Sequence, residues 1–266
     1  MKGARATPRL VFGPSVQPGE RVLPEEVAVA LSFNGTTQAV MMATPSDLED
    51  FGYGFALTEG IAGPGEVLSV DVEPVARGVD VQVWLKPEAE ARLAARRRVM
   101  AGPVGCGLCG IDSIDQALRE VPVVQPSAFR MTPAQVLAAV AALPGEQRLH
   151  DATRAVHGAA FWNGRVLMAR EDVGRHNALD KLAGGMVRQG ISPEGAVVLT
   201  SRVSTDMVQK VAMLGAPMII AVSAPTAEAV ELAERAGITL IALARGDRFE
   251  VFSHTDRIMT EEARVG

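Results

Sequence analysis

At 266 residues, with 48% hydrophobic and 21% charged side chains, the chain can bury a sizeable core and has ordinary globular composition, which excludes a disordered adaptor or a coiled coil. Its 26 Lys and Arg against 31 Asp and Glu give a net charge of -5, which excludes global attraction to nucleic acid or anionic lipid, so any anionic ligand must be captured locally. No apolar run is long enough to cross a membrane, and Met1 to Pro18 has neither the apolar core nor the cleavage pattern of a signal peptide; a cytoplasmic chain with no nucleic-acid and no membrane partner is expected.

In chain order, residues 1–20 read as a loose lead-in punctuated by Pro and Gly. Val27, Val29, Leu31 and Phe33 alternate with other residues up to Asn34-Gly35, a hairpin turn, and a second extended run follows through Val40 and Met42. Ser46 and Glu49 form a capping-box pattern beside Leu48, Phe51 and Phe55 at helical spacing, with a stop near Gly60. Val70 to Val75 and Val79 to Leu85 alternate on either side of Arg77-Gly78, so residues 21–125 are expected to form a smaller α+β region, with Met41, Met42 and Trp84 in its core. The Pro-rich run from Pro122 to Pro126 marks its end.

Beyond it, Thr132-Pro133 starts a helix carrying Val136, Leu137, Val140 and Leu143. Ala159 to Met168 alternates, and Ala178, Leu179, Leu182 and Met186 mark another helix. From there strand and helix segments interleave: strands over Gly195 to Ser201, Met218 to Val222 and Ile238 to Ala244, helices over Ser204 to Leu214 and Thr226 to Ala236, and an edge strand over Phe249 to Phe252. That interleaving implies crossovers and a mostly parallel sheet, so residues 126–266 are expected to be an α/β domain and the whole chain α/β in class (α+β overall).

Three features carry chemistry. The first is the loop Gly102-Pro103-Val104-Gly105-Cys106-Gly107-Leu108-Cys109-Gly110, which holds the only two cysteines and is followed by Ile111, Ile114 and Leu118 at helical spacing. A helix start and the upstream Arg96, Arg97 and Arg98 favour the nucleophilic thiolate. The spacing alone is compatible with a redox pair, half of a zinc site, a sulfur carrier or two small residues in a tight turn; zinc would need ligands from His150, His157, His176, His254 or carboxylates.

The second is Arg170 to Lys181, dense in ionisable groups: Asp172 or Asn177 can cap a helix while Arg175 and His176 meet an anion, or the stretch is a solvated helix start. The third is positional. Ligands of open parallel sheets bind beyond the carboxyl ends of the strands, here Thr200-Ser201-Arg202, Ser223-Ala224-Pro225-Thr226 and Ala244-Arg245-Gly246-Asp247-Arg248. Helix starts at the first two could hold phosphate oxygens, although Ser204 and Thr226 serve equally well as helix caps. His157, followed by Ala159, Ala160 and Phe161, reads as a satisfied strand histidine or as a catalytic base, the former favoured by its apolar surroundings.

In order and from about Glu26 to Phe252, these motifs resemble the FdhD/NarQ family of formate dehydrogenase accessory sulfurtransferases. Asn34-Gly35, Met41-Met42-Ala43-Thr44-Pro45, Gly54-Phe55 and Glu59-Gly60 are similar to its N-terminal signature, Cys106 to Gly110 to its C-x-x-C-G loop, Glu171 to Lys181 to its E-D-x-G-R-H-N-A-x-D-K stretch, and Ser223 to Thr226 to its S-A-P-T. The resemblance implies a protein that takes persulfide sulfur from a cysteine desulfurase onto Cys106, with Cys109 beside it, and passes it to the bis-molybdopterin guanine dinucleotide form of the molybdenum cofactor before insertion into formate dehydrogenase. It also implies a cytidine-deaminase-like C-terminal fold and cofactor contacts along Leu243, Ala244, Arg245, Gly246, Asp247 and Arg248. To these the strand ends add Arg202, Ser223 and Thr226, and the charged stretch adds Arg175 and His176. A homodimer is expected, because two nucleotides must be accommodated, and no stoichiometric zinc. The competing classes are a cofactor-binding chaperone with structural thiols and a zinc deaminase-like hydrolase. Two departures stand out: Thr153-Arg154-Ala155-Val156-His157 where the family often has Thr-Gly-Gly, and Thr200-Ser201-Arg202 where Ser-Gly-Arg is common.

Overall fold

A computed structural model describes residues 3–100 and 120–259, with backbone alone for 96–100. Cys106, Cys109 and the helix expected after them lie outside the described residues. The chain is a mixed α/β fold with two main sheets and a projecting arm.

The loose lead-in expected over residues 1–20 is corrected. Strands β1 (Ala4–Phe12) and β2 (Val16–Pro24) pair antiparallel along their full length, from Ala4 opposite Pro24 to Phe12 opposite Val16. Extended backbone tolerates Pro8 and Pro18 here because each strand has a free edge.

β3 (Val27–Phe33) and β4 (Thr36–Ala43) form the expected hairpin. Asn34 and Gly35 both take positive φ, 46° and 76°, as a two-residue turn matched to strand twist demands. Helix α1 (Leu48–Thr58) follows, but not through a Ser46–Glu49 capping box: Asp47 is the N-cap, left-handed at φ 52°, with no side-chain cap. Glu49 instead pairs with Arg188 at 2.7 Å, so its carboxylate is drawn away from the helix start. β5 (Val67–Val75) and β6 (Gly78–Leu85) complete a four-stranded sheet of order β4-β3-β6-β5, in which β3 and β6 run parallel. Val29, Leu31, Phe33, Val81 and Val83 pack against Phe51 and Phe55 of α1. Met42 and Trp84, assigned to the core from sequence, lie half exposed on the other face, since the pleat sends alternate side chains outward. Helix α2 (Pro87–Met100) leaves this sheet.

Val124 is buried in the larger core and its N–H donates to the Ala236 carbonyl at 2.9 Å. Helix α3 (Pro133–Glu146) starts at Thr132, where a capping box with Gln135 is complete, and α4 (Arg148–Thr153) follows. Then come β7 (His157–Trp162), β8 (Val166–Asp172), α5 (Arg175–Arg188), β9 (Ala196–Leu199), α6 (Thr205–Leu214), β10 (Met218–Ala221), α7 (Ala227–Arg235), β11 (Thr239–Arg245) and β12 (Arg248–Val251). The sheet order is β12-β11-β10-β9-β7-β8. The three central strands β9, β10 and β11 are parallel as expected, while β7, β8 and β12 pair antiparallel, so the sheet is mixed. Its central strands are apolar on both faces: Val197, Leu199, Ile219 and Leu240 meet α5, α6 and α7, and Val198, Met218, Ile220 and Ile241 meet α3.

The two sheets are joined where α1 crosses α5. A Cβ added at Gly54 would stand 1.7 Å from the Asp180 carbonyl oxygen, and one at Gly184 would stand 1.8 Å from that of Asp50. Backbone therefore touches backbone at both positions. Gly184→Ala is expected to lower the stability to chemical denaturation by about 3 kcal/mol or more, because neither carbonyl can retreat without opening the joint.

Candidate functional site

The strand directions gather one edge of the larger sheet. Because β7 runs opposite to β9, its first residue, His157, lies beside the last of β8, Asp172, and near the carboxyl end of β9, with Ala159 opposite Leu199. Gly158 N–H donates to Thr200 Oγ1 at 2.9 Å. The loops beyond β9 and β10 are tied to each other: Val203 N–H donates to the Ala224 carbonyl at 3.2 Å and Thr226 N–H to that of Val203 at 2.9 Å. Leu243 N–H reaches the Ser223 carbonyl at 3.2 Å, which brings the β11 end into the same floor. Arg175 and His176 open α5 at this edge. The fold thus collects Arg202, Ser223, Thr226 and the turn from Leu243 to Arg248 at the strand ends expected from sequence, and adds Arg175 and His176 to the same edge.

The charge at this edge is positive and largely unpaired. Arg202, Arg245 and Arg248 are exposed and enter no ion pair among the described residues. The Arg175 Nε is shielded from solvent and has no hydrogen-bond partner among the described residues. His176 Nε2 contacts the Asp206 carboxylate. Burial alone would raise the Asp206 pKa, but the neighbouring His176 and Ser204 side chains and the nearby Arg175 charge outweigh it and hold the carboxyl well below its usual range. The His157 pKa is lowered, first by burial and then by the charges of Arg175, His176 and His150. Asp206 escaped the sequence reading; its signal was its place two residues after the Ser204 helix start.

Other members of the Arg170–Lys181 stretch face inward, neither as ligands nor as a solvated helix start. Asp172 is fully buried and accepts from Thr44 N–H at 3.0 Å, Gly174 N–H at 2.8 Å, Asn177 Nδ2 at 3.0 Å and Lys181 Nζ at 2.5 Å. Lys181 also donates to the Thr44 carbonyl at 2.8 Å, and Asn177, rather than capping α5, donates to the Met42 carbonyl at 2.8 Å. One turn along, Asp180 accepts from Thr58 Oγ1 at 2.6 Å and from Lys210 at 2.9 Å. Burial pushes the Asp180 carboxyl up against the pull of Lys210. Glu171 caps α4, taking Leu149 and His150 N–H at 2.8 and 2.7 Å. Thr226 is occupied too, its hydroxyl capping α7 through Ala229 N–H at 3.2 Å.

Two backbone features stand at the edge. Leu243 is left-handed at φ 52°, with a register shift between Ala242 and Arg245, a conformation that costs a branched-chain residue roughly 1–2 kcal/mol. Arg154, at the site of the missing family glycines, is also left-handed at φ 58°, so the chain keeps the glycine-type turn without the glycine. A separate pocket of about 370 Å³ lies between α1, residues 62–67 and the end of α5, lined by Glu49, Tyr53 and Arg188. Arg188 is already paired with Glu49 and Asp50, and α5 separates this pocket from Arg175 by roughly 20 Å, so it offers no free cation to an anion.

Residues 24–259 match the model of the FdhD/NarQ family. The chain is 56% identical over 245 residues to a sulfur carrier protein FdhD from Agrobacterium fabrum, covering 91% of this chain and 90% of that one, and 52% identical to one from Brucella abortus, covering 91% and 92%. It is similar to the crystal structure of a protein assigned as a formate dehydrogenase accessory protein from Desulfotalea psychrophila, with a TM-score of 0.75, 26% identity and coverage of 96% of this chain and 99% of that one. Among the described residues no helix is long and apolar enough to cross a membrane.

The lowered His157 pKa has a measurable consequence. The unfolded histidine, near its ordinary value of 6.5, takes up a proton that the folded one resists, so its contribution to stability is present above that pH and is lost as the pH falls below it. Unfolding free energies measured from pH 8 to pH 5 are expected to decline less steeply in His157→Gln than in the wild-type protein.

Proposed function

The chain belongs to the FdhD/NarQ family, and from that premise we propose that it is a cytoplasmic sulfur carrier that loads sulfur on Cys106 and delivers it to a guanine-dinucleotide molybdenum cofactor destined for formate dehydrogenase. The observation that carries this reading is the unpaired cationic edge of the larger sheet in a chain whose only two cysteines stand in C-x-x-C-G. Arg175, Arg202, Arg245 and Arg248 suit a pyrophosphate, and the start of α6, which has no side-chain cap, adds N–H donors.

In the proposed reaction the Cys106 thiolate attacks the outer sulfur of a persulfide on a cysteine desulfurase. The donor's S–S bond breaks, the donor leaves as a thiolate, and Cys106 carries the persulfide. Cys109 then attacks the inner sulfur of Cys106. The terminal sulfur leaves at the sulfide level for the molybdenum centre, the two electrons coming from the thiol pair, which is left as a disulfide for later reduction. The cofactor is cargo in this scheme, held by its phosphates while the metal end meets the thiols.

Incubation with a cysteine desulfurase and cysteine is expected to add one sulfur atom to the wild-type protein by intact mass, and none at this position in Cys106→Ala. Equal loading of both proteins would sink the assignment of Cys106. For the cofactor end, Arg245→Ala is expected to weaken binding of GDP about tenfold by calorimetry, the loss of one charge-assisted hydrogen bond; unchanged affinity would remove Arg245 from the site.

A further inference from the structure

Strand alternation turns His157, Ala159 and Phe161 of β7 to one side of the larger sheet, where Ala159 and Phe161 pack into the core shared with α5. His157 is the outermost of this row and lies among the charges of the first turn of α5, a helix that starts without a side-chain cap. Its place is fixed through the backbone of its neighbour: Gly158 N–H donates to Thr200 Oγ1 at 2.9 Å, and Thr200 N–H donates to the Gly158 carbonyl at 3.1 Å. The imidazole itself is partly buried and makes no hydrogen bond among the described residues, so it is not the satisfied strand histidine that the sequence favours. His150, by contrast, commits Nδ1 to the Val156 carbonyl at 3.1 Å.

The charged groups that face this ring are Arg175 and His176 of α5, His150 of α4 and Asp172 of β8. Asp172 is already engaged by Lys181, and Asp206 of α6 by His176. Glu171, the neighbour of Asp172 on β8, takes the Leu149 and His150 N–H groups instead. The field at His157 is therefore dominated by Arg175, which forms no ion pair among the described residues. Burial and these like charges oppose a proton on the imidazole and keep its pKa below the ordinary value. A diphosphate seated against Arg175 reverses the sign of that field and brings hydrogen-bond acceptors to a ring that has none.

We infer that His157 is a further contact of the diphosphate ligand: neutral in the free protein, it takes a proton from solvent as the ligand seats and donates it in a hydrogen bond to a phosphate oxygen. This rests on the reading of the cationic edge as a nucleotide diphosphate site, and adds to that site a proton that enters with the ligand and leaves with it. The four arginines hold an anion at any physiological pH; His157 makes part of the hold conditional. Because the complex binds more protons than the free protein, affinity rises as the pH falls and levels off once His157 is protonated in both states.

Calorimetry of the full chain with GDP-mannose tests this, because an esterified diphosphate lacks the second phosphate ionisation at about pH 6 that GDP would add. In buffers of different ionisation heat at pH 6.5, the wild-type protein is expected to take up about half a proton per ligand, and its affinity to rise about fivefold from pH 8 to pH 6. His157→Gln, which can still donate a hydrogen bond but cannot titrate, is expected to bind without proton uptake and with a flat pH profile. Uptake that survives in His157→Gln belongs to His176 or His150 and overturns the assignment, as does wild-type binding without uptake. A wild type that fails to bind GDP-mannose at any pH overturns the reading of the cationic edge and this inference with it. Should His157→Gln fail to fold, the wild type decides alone. The chain has 4 histidines, and in imidazole NMR titrations the assigned His157 resonance is expected to titrate at higher pH with GDP-mannose than without it; an unmoved His157 resonance overturns the inference.

Discussion

Helices α1 and α5 meet backbone to backbone, with Gly54 against the Asp180 carbonyl and Gly184 against that of Asp50, and the placement of the sheet edge follows from this crossing. Such an approach leaves no room for side chains between the axes, so the Asp50, Asp172 and Asp180 carboxylates that flank it are cut off from water and must be satisfied by neighbouring groups. They are satisfied in three clusters: Asp50 with Arg170 and Arg188, Asp172 with Lys181, Thr44 and Asn177, and Asp180 with Lys210, Thr58 and Glu59. Each spans the two sheets. Buried ion pairs add little net stability over apolar packing, but an orphaned partner is costly, so the clusters act mainly by penalising any other seating of one sheet on the other.

This seating serves the cationic edge. Asp172 ends β8 and receives the Gly174 N–H, so the residue that locks the N-terminal sheet also sets where α5 begins. Arg175 and His176 follow at once, and their direction is inherited from a joint in which they take no part. Asp206 then holds His176 from α6, and the three helices share one apolar layer beneath the sheet.

Much of this was legible in the chain. Buried strands announced themselves as Val- and Ile-rich runs ended by polar residues, and Asn34-Gly35 fixed its turn because few other residues accept two consecutive positive φ angles. The converging polar strand ends also followed from alternation alone. What stayed hidden depends on distant partners. Asp172, Asp180 and Lys181 look like surface or ligand-facing charges until Thr44, Thr58 and Lys210 are brought to them, and no local pattern encodes those meetings. Ser46 and Glu49 satisfy the capping rule on paper, yet Arg188 competes for the carboxylate. The arm was missed because Pro and Gly in both strands imitate a linker, and its alternation becomes visible only once Ala6 faces Val22 and Phe12 faces Val16. The reversed direction of β7 likewise hinges on a short turn at Gly164, with φ of 76°, where a parallel sheet would need a crossover.

The left-handed Leu243 has a consequence for how this protein can vary. Before it, Ala242 faces the α5–α7 layer, and after it Ala244 faces the opposite layer, so a single inverted residue resets the alternation of the strand. The turn that follows is thereby fixed in length: removing one residue between 243 and 247 would exchange the sides of Ala244 and Arg245, driving a guanidinium toward the apolar layer. Substitutions along this segment can accumulate one at a time, whereas insertions and deletions cannot. Lineages that share this kink are expected to differ there in spelling but not in length.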